Sequence, residues 1–133
     1  MAEQGKAKVL VVDDEPDAVE FVQAVLEEAG YEVISAADGE SGLAAARAES
    51  PDVVILDVQM PGKDGFTVFA EMAKDEALGS VPVIMLTGVG ERIGINFSAE
   101  AMGEYYGAEP AAYVEKPVEP AALQEAVRQV LSA

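Results

Sequence analysis

The chain has 133 residues, 50% of them hydrophobic and 25% charged, with 25 acidic residues against 8 basic ones and a formal charge of −17. That length and composition suit one soluble globular domain with its own core, and the charge excludes a basic nucleic-acid footprint on the chain as a whole. Histidine and cysteine are absent, which excludes Ser-His-Asp and Cys-His catalysis, most zinc sites, disulfides and iron–sulfur ligation. Oxygen chemistry remains: carboxylates, hydroxyls, backbone, a few lysines and a hard metal ion.

Residues 1–6 read as a flexible tail before a core of about 7–131, a single domain over 1–133. Residues 8–13 read as a buried strand, β-branched and unbroken until Asp13, Asp14 and Glu15. The next helix spans 16–29. Pro16 and the acids suit its first turn, Val19, Val22, Val25 and Leu26 repeat at helical spacing, and Gly30 terminates it. A second strand spans 32–36, and Asp38 caps a helix running to about Glu49. Val53, Val54, Ile55 and Leu56 form a third strand ending at Asp57, and residues 60–65 form a turn-rich loop. A third helix covers 66–75, and a fourth strand covers 81–86 with Thr87 at its end. Residues 88–97 read as loop, 98–106 as a short helix capped by Ser98, 111–115 as a fifth strand and 120–131 as the last helix. No secretory signal precedes the first strand, and no run approaches the ~18 apolar residues of a membrane span. The expected compartment is the cytoplasm, with no membrane partner.

Five alternations of strand and helix imply a parallel sheet with helices on both faces. All strand C-termini then share one edge, where open α/β sheets bind ligands. Asp13 and Asp14, Asp57, Thr87 and Lys116 occupy that edge. Three carboxylates together repel one another, and a divalent cation cancels the cost. Magnesium suits carboxylate and carbonyl oxygens together with waters and a phosphate oxygen. A lysine and a threonine hydroxyl complete a phosphate-sized site, so the chemistry is phosphoryl transfer with a carboxylate or water as nucleophile.

Four segments carry a resemblance: Asp13-Asp14-Glu15-Pro16, Asp57-Val58-Gln59-Met60-Pro61-Gly62-Lys63-Asp64-Gly65, Leu86-Thr87-Gly88 and Tyr113-Val114-Glu115-Lys116-Pro117. Together, in order and each at a strand end, they resemble the receiver domain of two-component response regulators, over about residues 7–131. The resemblance implies a flavodoxin-like doubly wound (βα)5 three-layer sandwich with strand order 2-1-3-4-5, an order for which the receiver is itself a known example. It implies that Asp57 is the phosphoacceptor, taking its group from a histidine kinase or a histidine phosphotransfer protein. Asp14, Asp57 and the backbone carbonyl of Gln59 match direct Mg2+ ligands, and Asp13 matches an acid acting through water. Lys116 matches the lysine that contacts a phosphoryl oxygen, Thr87 the hydroxyl that moves toward it, and Tyr113 the aromatic switch. The bond between Lys116 and Pro117 is commonly cis in the family.

Each residue alone has a plainer reading. The acids after the first strand suit a solvated helix start, Asp57 suits a turn, and a lone Tyr113 suits a core. The connection from Thr87 to Lys116, 29 positions, is longer than is usual in the family. The expected activity is that of a phosphorylation-controlled switch, a monomer or weak dimer acting on a downstream protein rather than directly on nucleic acid. The switching surface would combine helix 98–106, the fifth strand and the last helix. An unphosphorylated receiver-like scaffold is the alternative. A turnover hydrolase fits less well, because such enzymes often carry a second aspartate where Gln59 stands.

Overall fold

The computed structural model describes residues 7–58, 65–87 and 111–132. Its elements are β1 (Lys8–Val12), α1 (Pro16–Glu28), β2 (Glu32–Ala36), α2 (Gly39–Glu49), β3 (Val53–Asp57), α3 (Gly65–Lys74), β4 (Val83–Thr87), β5 (Ala112–Glu115) and α4 (Pro120–Ser132). The strands pair in parallel in the order β2-β1-β3-β4-β5. The expected loop 88–97, the expected helix 98–106, Gln59 and the tail 1–6 lie outside the described residues.

The sheet carries a core on each face. Leu10, Val12, Val54, Leu56, Val83 and Met85 pack with Leu43 and Ala46 of α2 and Val68, Phe69 and Met72 of α3. The alternate residues Val9, Val11, Val53, Ile55, Ile84 and Leu86 pack with Val22, Val25 and Leu26 of α1 and Leu123 and Val127 of α4. This alternation is why the central strands are apolar at every position: each successive side chain meets a helix layer on one face or the other. The result is the expected three-layer sandwich.

Helix ends follow local chemistry. Asp38 accepts the Ser41 amide at 2.8 Å, and the Ser41 hydroxyl accepts the Asp38 amide at 3.3 Å, a reciprocal cap on α2. At the end of α1, the Tyr31 amide donates to the Leu26 carbonyl at 3.1 Å and the Gly30 amide to the Glu27 carbonyl at 3.0 Å. Gly30 has a φ of +99°, with nothing within 4 Å of an added Cβ. Its requirement is therefore backbone conformation alone. Gly30→Ala is expected to cost about 1 kcal/mol, read as a lower urea midpoint with an unchanged slope.

The strand boundary that departs most from expectation is the start of β4. β4 starts at Val83, not at residue 81, because the Val81 amide turns back to the Leu78 carbonyl at 3.0 Å. Pro82 has no amide to donate; its carbonyl accepts from Val54 at 3.0 Å. Among the described residues, no helix is long and apolar enough to cross a membrane.

Candidate functional site

The order β2-β1-β3 reverses the direction in which strands are added, and the reversal lies between β1 and β3. A parallel sheet opens a crevice at the carboxyl ends of two such strands. Asp13 and Asp14 leave β1 at this point, and Asp57 ends β3. Asp13 is 1% exposed and Asp57 2% exposed, whereas Asp14 is half-buried. The Asp13 amide donates to the Ala36 carbonyl at 3.1 Å, and its Oδ1 accepts from the Glu15 amide at 3.0 Å. These bonds hold the turn that leads into α1.

The far side of the crevice comes from β4 and β5. Thr87 ends β4, fully buried. Its carbonyl accepts from the Lys116 amide at 2.7 Å, fixing the chain just beyond β5. The Lys116–Pro117 bond is cis. Lys116 Nζ then reaches Asp57 Oδ1 at 2.7 Å. The ammonium is partly solvated while its carboxylate partner is not, so the pair gives a buried acid a charged partner that reaches water.

One carboxylate oxygen from each of Asp13, Asp14 and Asp57 lies within 4.8 Å of the other two. The electrostatic consequence shows at Asp13. Burial, and then the negative charges of Asp57 and Asp14, push its carboxyl up to about 6, against the opposing pull of the Glu15 amide and Lys116. Asp13 Oδ2 and Thr87 Oγ1 are buried and meet no hydrogen-bond partner among the described residues. Crowded acids with an orphaned buried oxygen fit a hard divalent cation, which takes carboxylate oxygens and relieves their repulsion. Beside the cluster an open groove of about 550 Å³ runs between α1 and the end of β2, lined by Asp14, Asp17, Glu20, Gln23 and Ser35 among others.

The structure thus brings together Asp13, Asp14, Asp57 and Lys116, with Thr87 on the adjoining strand end. Tyr113 lies lower on the edge strand β5, paired in register with Met85 and half-buried against the core on the α2 and α3 face. Gly65 closes the Asp57 segment, where sequence reasoning gives it no role of its own. Sequence places it at the end of a loop, whereas in the structure it is the first residue of α3, with its amide on the Val58 carbonyl at 2.9 Å. Its place in that segment, directly before a helical pattern, is the signal available.

Comparison with known proteins gives the family. A family model described as the response regulator receiver domain matches residues 9–128. The protein PilH of Pseudomonas aeruginosa is 35% identical over 126 residues, covering 95% of this chain and 98% of PilH. The alkaline phosphatase synthesis transcriptional regulatory protein PhoP of Bacillus subtilis is 36% identical over 93% of this chain and 48% of its own length. The chain spans about half the length of the transcriptional regulators it matches. Among solved structures, the chemotaxis protein CheY4 of Vibrio cholerae superposes with a TM-score of 0.80 at 33% identity, covering 95% of this chain and 99% of that one. With the family model spanning nearly every residue of the sheet and its helices, the chain belongs to the response regulator receiver domain family.

Proposed function

We propose that the chain accepts a phosphoryl group on Asp57 from a phosphohistidine of another protein, with Mg2+, and that the modification switches a partner-binding surface. The observation that carries this reading is the 2.7 Å contact of Lys116 Nζ with Asp57 Oδ1 inside a three-carboxylate cluster. A carboxylate held by a lysine at the crevice is a positioned nucleophile with a cation ready for the transferred group.

In the transfer, an Asp57 carboxylate oxygen attacks phosphorus in line with the donor imidazole. The O–P bond forms as the N–P bond breaks, and the freed imidazole nitrogen takes the N–P electron pair, a proton coming from solvent where the other ring nitrogen carries none. Lys116 moves its charge from the carboxylate to a phosphoryl oxygen. Thr87 offers a buried hydroxyl from the adjoining strand end, and its shift toward the phosphoryl group leaves room for Tyr113 to turn inward. The two-state surface so biased includes β5 and α4. Asp14, Asp57 and the Gln59 carbonyl would hold Mg2+ directly, with Asp13 acting through water. When bound, the ion supplies neutralisation of the crowded acids and of the phosphoryl oxygens.

The chain has no histidine, so the donor histidine belongs to a histidine kinase or a phosphotransfer protein. The reading also treats the chain as a single cytoplasmic receiver domain, a monomer or weak dimer whose downstream partner is a protein. It is not a turnover enzyme, since Gln59 lacks the acid that would release the group by general acid–base catalysis. Incubation with Mg2+ and acetyl phosphate tests the reading. Intact mass should rise by one phosphoryl group, and no adduct with any phosphodonor contradicts it.

A further inference from the structure

We infer that Gly65 is a positioning residue for Asp57, a role that rests on Asp57 being the phosphoacceptor. An ideal Cβ built on Gly65 stands 2.3 Å from the backbone oxygen of Asp57, 2.8 Å from the Cα of Val58 and 3.0 Å from the carbonyl carbon of Asp57. These are backbone atoms, which cannot rotate aside as a flexible side chain can. The requirement is for space and not for an unusual dihedral, since Gly65 does not have a positive φ. Glycine here lets the start of α3 lie directly on the peptide that carries the nucleophile.

The backbone on both sides of the Val58 Cα is held. The Val58 amide donates to the Leu86 carbonyl of β4 at 3.1 Å, and the Val58 carbonyl accepts the Gly65 amide at 2.9 Å. The first bond fixes the peptide that joins Asp57 to Val58, and the second ties the next peptide to the start of α3. A methyl group at position 65 falls about 1 Å short of ordinary contact, so either α3 lifts or the Asp57 peptide turns. The 2.7 Å contact with Lys116 and the in-line approach to phosphorus both depend on that peptide. A displacement of about 1 Å at a reacting group can cost on the order of 100-fold in rate.

The test compares Gly65→Ala with Leu26→Ala, a cavity-forming change at a fully buried residue of α1, in the layer opposite α3. Phosphorylation by acetyl phosphate is followed at saturating Mg2+, with the urea midpoint and amide NMR shifts of each variant. Gly65→Ala should lower the saturating rate constant roughly 10- to 100-fold, with a smaller change in donor half-saturation. It should also shift the amides of Val58 and its β4 neighbours. Leu26→Ala should lose stability and phosphorylate at the wild-type rate. Should Gly65→Ala be unfolded in buffer, the comparison is repeated in sucrose, which favours the compact state. A folded but slow variant there supports the inference, and failure to fold even there overturns it. Gly65→Ala that reacts within twofold of wild type, or loses no more rate than Leu26→Ala, overturns this inference alone. Wild type that takes no phosphoryl group overturns the proposed function and this inference with it.

Discussion

Asp57→Ala takes up no phosphoryl group under conditions in which the wild-type chain takes up one. No other acid of the cluster is placed as Asp57 is. Asp13 Oδ1 is committed to the Glu15 amide, and Lys116 Nζ makes its 2.7 Å contact with Asp57. With residue 57 shortened to alanine, the ammonium loses the carboxylate it holds for attack. The variant should still fold. Lys116 keeps access to solvent, with 30% of its side chain exposed, and Asp13 loses a repulsive neighbour. Circular dichroism and intact mass on one sample check both halves of this expectation. An adduct that persists in the variant places the nucleophile elsewhere.

Asp13→Asn should stabilise the metal-free protein at neutral and alkaline pH. The folded Asp13 carboxyl stands at about 6, against an ordinary value of 3.8, chiefly because it is buried. The folded chain therefore holds this proton more tightly than the unfolded chain does. Stability is fully present below pH 3.8 and is lost as pH rises through 6. The loss amounts to roughly 3 kcal/mol. An asparagine carries no charge to bury, and its carbonyl can still accept the Glu15 amide. In EDTA the variant should gain up to about 3 kcal/mol at pH 8 and nothing by about pH 4. Saturating Mg2+ should narrow or reverse the difference, since a ligand at one hundred times its Kd adds about 2.7 kcal/mol and the variant binds it less well. Urea midpoints at pH 4, 6 and 8, with EDTA and with Mg2+, provide the measurement. Parallel curves for both proteins at every pH contradict a charged, buried Asp13.

The fold was legible where burial is simple. β1, β3 and β4 are covered on both faces, so their apolar runs are unbroken. Gly30 marks the end of α1 for a reason that can be read locally. The start of β4 was not legible in the same way, since Val81 has a strand former's side chain and its amide turns back to Leu78. For the site, parallel pairing alone brings Asp13, Asp14, Asp57, Thr87 and Lys116 to one edge. Which groups meet is a different matter. Lys116 and Asp57 are 59 positions apart, and their contact depends on β4 and β5 standing in the right register. Asp13 and Asp14 are adjacent, yet one is buried and the other half-buried, a difference that composition does not encode. The glycine at 65 shows the same limit, because its significance lies in what approaches it.

The central claim is that Asp57 forms an acyl phosphate, and residue-level trapping tests it most directly. The chain is incubated with Mg2+ and acetyl phosphate, reduced with borohydride and digested for peptide mass analysis. An aspartyl phosphate is reduced to homoserine, so the account predicts homoserine at position 57 and unchanged aspartate at 13 and 14. Homoserine at another acid, or none anywhere in a chain whose mass has risen by one phosphoryl group, contradicts it.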